Sequence, residues 1–168
     1  MVDKSQFRDA MAHIAAAVNV VTTDGAKGRC GYTCTAVCSV TDDPAIVLVC
    51  LNRSSAMNEV FKHNGVFCIN VLSNDQKHLS QQFSGSAGVE MQDRFSGADW
   101  SRMPTGSPGH QQALCLIDCE ITEVKEVGTH SILFGRVIKI DVNPDPDEAL
   151  IYCNRAYHAV SIGRHANV

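Results

Sequence analysis

Apolar residues recur along this chain with two different periods. Phe7, Met11 and Ile14 fall at i, i+4 and i+7, which predicts an amphipathic helix. Asp3 and Gln6 are spaced for a capping box at its start. Val18 to Gly25 then reads as a β-rich run closed by the turn pair Asp24-Gly25. The stretch RCGYTCTAVCSV follows, small and β-branched, and its Gly31 predicts a close approach to the backbone. Asp42, Asp43 and Pro44 break the chain. Ala45 to Leu51 is a continuous apolar run, which predicts a strand buried on both faces.

Ser54 or Ser55 can cap a short helix through Phe61, in which Met57, Val60 and Phe61 keep helical spacing and which Asn64-Gly65 ends. Val66 to Leu72 predicts a strand, and Asp75 to Phe83 a helix with Leu79 and Phe83 four apart. Ser84 to Gly109 is rich in Gly, Ser, Met and Pro. It reads as a long surface excursion with a short helix around Met91 to Phe95. LCLIDCEIT alternates, with Cys115, Ile117, Cys119 and Ile121 on one face and Asp118, Glu120 and Thr122 on the other. SILFGRVIKIDV is a second long strand, entered through Gly128-Thr129-His130. Asn143-Pro-Asp-Pro predicts a turn, and ALIYC and YHAV close the chain. About six or seven strands with few helices argue for a barrel with peripheral helices, against alternating βαβ units.

Composition narrows the class. The 168 residues suit one domain, residues 1–168, and 45% hydrophobic with 19% charged residues is ordinary for a globular protein. The longest apolar run is far shorter than the ~20 residues of a membrane-spanning helix. No apolar signal segment is visible at the N-terminus, so a cytoplasmic protein without a membrane partner is expected. A net charge of -4 without a basic stripe predicts no nucleic-acid partner. Eight cysteines without a C-x-x-C pair read as free thiols in a reducing compartment, with no metal site. No G-x-G-x-x-G, Walker A, H-E-x-x-H or G-x-S-x-G sequence is present.

Three stretches taken together are more specific. They are GYTCTAVCSVTDDP (Gly31 to Pro44), CLNRSSAMN (Cys50 to Asn58) with FCINVL behind it, and GTHSILFGRV (Gly128 to Val137). With the opening FRDAMAHIAAAVNVVTT, their order and spacing resemble the short-chain flavin reductase family, from Phe7 to Val160. That family includes the reductase components of two-component aromatic monooxygenases, the 4-hydroxyphenylacetate type being nearest in wording. The resemblance implies a mainly β fold, a split β-barrel of Greek-key, FMN-binding type with peripheral helices. It also implies a homodimer with FMN or FAD near the interface. The activity implied is hydride transfer from NADH or NADPH to flavin, and the reduced flavin leaves for a partner oxygenase.

The residues agree with a flavin site. A flat ring needs hydrogen bonds at its edge, and small residues let backbone N–H groups reach it. Thr33, Cys34, Thr35, Ala36 and Val37 offer such a stretch, and Ser39 adds a hydroxyl. The same stretch also reads as a Cys/Thr-rich core strand. Arg53, Ser54 and Ser55 before a helix make a phosphate site, with Asn52 and Asn58 as further polar contacts. The plainer alternative is a helix cap beside a solvated arginine. Cys68 and Asn70 on the next strand are candidates to line the pocket, and Phe83 to cover the flavin. By resemblance, Arg94 and Phe95 belong to an element closing over the flavin. His130, in the G-x-H at a strand entrance, contacts the nicotinamide and is the candidate catalytic residue. Thr129 stands where many relatives carry Asp. Arg155, Tyr157 and His158 resemble a terminal motif that completes the site. Two other activities stay open. The bound flavin can reduce another acceptor, such as a cob(II)alamin-type corrinoid or a ferric complex. The barrel can also serve as a non-catalytic flavin carrier.

Overall fold

The computed structural model describes residues 2–85, 88–145 and 147–163. Helix α1 (Lys4–Ala12) leads into strands β1 (Ala16–Ala17), β2 (Asn19–Thr23), β3 (Cys30–Cys34), β4 (Val37–Asp42) and β5 (Ala45–Asn52). Helix α2 (Met57–Asn64), strand β6 (Val66–Val71) and helix α3 (Lys77–Phe83) follow. The short strands β7 (Trp100–Arg102) and β8 (Pro108–His110) precede the long pair β9 (Cys115–Val127) and β10 (His130–Val142). Strands β11 (Glu148–Cys153) and β12 (Ala156–Ser161) end the described fold.

Seven strands form one antiparallel sheet in the order β3-β2-β6-β9-β10-β5-β4. Its two edge strands, β3 and β4, are consecutive in the chain, with only Thr35 and Ala36 between them. Consecutive Cα atoms are about 3.8 Å apart, so the two edges must meet. The sheet therefore rolls into a barrel, yet no ladder joins β3 to β4, and the barrel stays split there. Across the split, the Tyr32 hydroxyl donates to the Cys50 carbonyl at 3.2 Å.

Val21, Tyr32, Val49, Leu51, Phe67, Ile69 and Leu133 fill the interior, with Phe61 of α2 packed edge-on against Tyr32 at 5.4 Å. Gly135 is required in this packing. A Cβ there would lie 2.3 Å from the Phe67 ring. A second cluster, Val18, Val20, Leu72, Leu79, Phe83, Phe95 and Leu150, seats α3 and the excursion on the outside of the barrel. The group that approaches Gly31 closely is the Phe83 ring, 3.0 Å from where a Cβ would stand.

Several expectations change in three dimensions. The capping box of Asp3 and Gln6 forms, but α1 ends at Ala12, short of Ile14, and its apolar stripe stays largely uncovered: Phe7 is 58% and Met11 44% exposed, and Ile14 beyond the helix 57%. The strand Ala45–Asn52 has only Val49 and Leu51 fully buried, because its other face is only partly covered. Ser84 to Gly109 is no simple surface excursion. It carries the β7–β8 hairpin, whose Pro108, Gly109 and His110 are buried against β6. That hairpin covers Asp118, which the alternation had placed outside. Thr105 closes on its carboxylate through its N–H at 2.9 Å and its hydroxyl at 2.6 Å. In the turn after β10, Asn143 Oδ1 accepts from Asp145 N–H at 3.1 Å, while Pro146 lies outside the described residues.

Candidate active site

The end of β5 is where the distant stretches converge. On one side, Val37 of β4 pairs with Val49, and the Ala36 carbonyl accepts from Cys50 N–H at 3.2 Å. On the other side, His130 at the start of β10 pairs with Asn52. Beyond Asn52 the chain turns, and Arg53 N–H donates to the Thr129 carbonyl at 2.9 Å. Asn52 Oδ1 accepts from both the N–H and the hydroxyl of Ser54, each at 2.9 Å. These bonds shape the turn and delay α2 to Met57, with Ala56 as its N-cap. Ser55 Oγ accepts from Met57 N–H at 3.3 Å. The two serines therefore precede the helix instead of opening it. Gly65 ends the helix at φ 69°, the left-handed geometry glycine tolerates.

Over this floor lies a cleft of about 1010 Å³, walled on its far side by α1. Lys4 and Arg8 of α1 face Arg53 and Lys62 across it, and His130 lines it. Asp3 and Glu59 also line it, two carboxylates against the four cations. The cleft is thus cationic in a protein of net charge -4, which draws anions to it. Arg53 is held at two points, Nε 3.0 Å from Glu126 and Nη1 donating to the Gly128 carbonyl at 3.1 Å. Lys62 donates to Glu126 at 2.7 Å and to Glu59 at 3.3 Å. The hydrogen bond from Lys62, then that from Ser131, holds the Glu126 carboxyl below the ordinary carboxylate range. Glu126 in turn pushes Lys62 up. His130 Nδ1 lies 2.9 Å from the Thr129 hydroxyl, so that contact holds the ring and leaves Nε2 for a ligand.

Residues 11–161 match the sequence profile of the flavin reductase like domain. The chain belongs to that family. The FMN reductase (NADH) RutF of Klebsiella pneumoniae is 47% identical over 95% of this chain and 96% of its own length. The 4-hydroxyphenylacetate 3-monooxygenase reductase component of Salmonella typhimurium is 47% identical over 97% of this chain and 95% of its own. Among solved structures, BorF, the flavin reductase component of a bacterial two-component tryptophan halogenase, superposes with a TM-score of 0.89 at 27% identity, over 96% of this chain and all of BorF.

Within this flavin reductase-like fold, the expected site residues separate into two groups. Asn52, Arg53, Ser54, Asn58 and His130 line the cleft, and Thr35 and Ala36 lie exposed at the barrel's split, outside its lining. Ser55 sits in the same turn, Val37 is half-buried, and Ser39 is exposed on the edge strand β4. Asn58 is also a structural hub. At 2% exposure, its Nδ2 donates to Ser131 Oγ at 3.0 Å and to the Leu51 carbonyl at 3.3 Å.

The other residues find partners elsewhere in the fold. The Thr33 hydroxyl donates to the Ser80 carbonyl at 2.7 Å and pins α3. Burial pushes the Cys34 thiol up to about 12 and Cys68 well above its ordinary range, so both stay protonated. Asn70 is fully buried; its Nδ2 donates to the Val20 carbonyl at 3.0 Å and its Oδ1 accepts from His110 N–H at 2.7 Å. Phe83, 1% exposed, meets Phe95 edge-on at 5.1 Å inside the second cluster, turned away from the cleft. Arg94 Nε donates to the Val89 carbonyl at 3.0 Å. Arg155 pairs with Asp9. Tyr157 shares a hydrogen bond with Ser80 at 2.7 Å, and His158 Nε2 lies 3.1 Å from the Cys153 carbonyl. None of these last four lines the cleft of one chain.

Sequence reasoning missed Lys4, Arg8, Lys62, Ser131 and Glu126. A signal for the last two exists. The two-residue turn Gly128-Thr129 pairs Val127 with His130, and so sets Glu126 opposite Ser131.

Proposed function

We propose that this chain is a flavin reductase that passes a hydride from NADH to FMN and supplies the reduced flavin to a partner oxygenase. The observation that carries this is the convergence of Thr35-Ala36, Asn52 to Ser55 and His130 on one strand end, beside a cationic cleft. The relatives named above, an FMN reductase (NADH) and a monooxygenase reductase component, support the same assignment. The donor set fits a flat, phosphorylated ligand. Small exposed residues at the split admit a ring edge, and Arg53, Lys62, Lys4 and Arg8 meet phosphate charge. Bound flavin supplies a two-electron acceptor for the nicotinamide hydride. His130 orients the nicotinamide through Nε2, with its ring held by Thr129. Hydride transfer needs alignment and no proton from this histidine.

Residues 1–168 act as one domain in this reading. The working form is a homodimer. The exposed α1 stripe and the exposed Val40, Val124, Ile138, Ile140 and Val142 make apolar surface that a second copy would bury. Eight free thiols, among them Cys30 and Cys119 pushed up to about 12 by burial, suit a reducing cytoplasm. No helix among the described residues is long and apolar enough to cross a membrane.

The test is NADH consumption by purified protein with and without added FMN, alongside a flavin-binding titration. Consumption that requires both protein and flavin is expected. FMN binding without consumption above the protein-free rate would leave a flavin carrier, and consumption only with a corrinoid or ferric acceptor would redirect the assignment.

A further inference from the structure

Glu126 does not line the cleft, yet it holds two of the cleft's cations. Behind it, Ser131 Oγ lies 3.0 and 2.9 Å from its two carboxylate oxygens. Ser131 is fully buried and is itself fixed by Asn58 Nδ2 at 3.0 Å. In front of it stand Lys62 Nζ at 2.7 Å and Arg53 Nε at 3.0 Å. Arg53 Nη1 is tied as well, to the Gly128 carbonyl at 3.1 Å. With both points taken the guanidinium plane is set, and Nη2 has no protein partner among the described residues.

We propose that Glu126 is a positioning residue that presents Arg53 and Lys62 to a phosphate of the nucleotide bound in the cleft. The proposal rests on the flavin reductase reading. A long cation ordered before binding loses little rotamer freedom when the phosphate arrives. Charge alone argues the other way: removing Glu126 would make the cleft more positive and tighten anion binding. The two accounts differ in sign, so affinity decides between them.

The experiment is equilibrium fluorescence titration with FMN and with riboflavin, which has the same ring and no phosphate. It compares wild type, E126Q, R53M and the double variant, and adds the KM for NADH. E126Q is expected to weaken FMN about three- to tenfold while moving riboflavin less than about twofold. In the double variant it should add less to R53M than it costs wild type, because part of its effect runs through Arg53 and the rest through Lys62. A loss that falls on NADH instead of FMN supports the same role and assigns the phosphate to the dinucleotide. Unchanged or tighter binding of both nucleotides overturns the proposal. So does an equal loss of FMN and riboflavin, which marks a general structural effect. Wild type that binds neither flavin overturns the functional reading as well; wild type that prefers FMN, with E126Q unchanged, overturns Glu126 alone.

Discussion

His110 shows how a single buried residue couples this fold to pH. It is 7% exposed, and its Nδ1 accepts from Gln112 N–H at 3.4 Å, with Gln76 Nε2 at 2.8 Å. A nitrogen that accepts from a backbone N–H carries no proton, so the ring is neutral. Burial lowers its pKa below the ordinary 6.5, against a smaller opposing pull from Asp99. The unfolded chain therefore takes up this proton first as pH falls. The stability contribution is complete above about 6.5 and is lost toward the lowered folded value. Urea unfolding between about pH 7.5 and 5 should show His110→Gln with a shallower acid loss than wild type; parallel slopes would contradict this. Asn58→Ala should cost about 1–3 kcal/mol in the same assay, because it leaves Ser131 and the Leu51 carbonyl without their donor. Asn58 and Asn70 also mark the limit of reading side chains from sequence. Both were expected as pocket donors. Asn70 instead bonds to Val20, 50 residues away, and only the strand pairing brings that partner close.

Elements whose periodicity was strong were legible: α1 with its capping box, the strand read over Val66 to Leu72, and the β9–β10 pair are all present, although α1 stops before Ile14 and β9 runs past Thr122 to Val127. The excursion was not. Its hairpin is built from WSR and PGH, too short and too rich in Gly and Pro to show alternation, and it is held by Asn70 and Asp118 from other strands. Gly135 was equally silent, since its reason lies on β6. Gly135→Ala drives a Cβ to 2.3 Å from the Phe67 ring, which is fully buried and cannot withdraw. A loss of about 1–3 kcal/mol by urea unfolding is expected, and Phe67→Leu in the same chain should recover part of it. An unchanged midpoint in the single variant would show that the sheet yields there.

At the scale of the molecule, one connection does most to place the site. Thr35 and Ala36 join the two edges of the seven-stranded sheet, so the barrel's split and the proposed ring-binding stretch are the same two residues. The sequence motifs singled out the longer stretch Thr33 to Val37 that contains them. They did not reveal that α1 would wall the cleft with Lys4 and Arg8, because the helix's apolar stripe pointed toward a core that its own chain does not supply. The exposed stripe, with Ile138 and Ile140 on β10, predicts a dimer by sedimentation. Met11→Glu or Ile140→Glu should shift it toward monomer, and a wild-type monomer at all concentrations would remove that reading. The most direct test of the whole account is anaerobic stopped-flow absorbance, with NADH mixed against protein and FMN. The account predicts rapid bleaching of the flavin band at a rate that saturates with NADH. A flavin that is bound by the protein yet stays oxidised under NADH would contradict it.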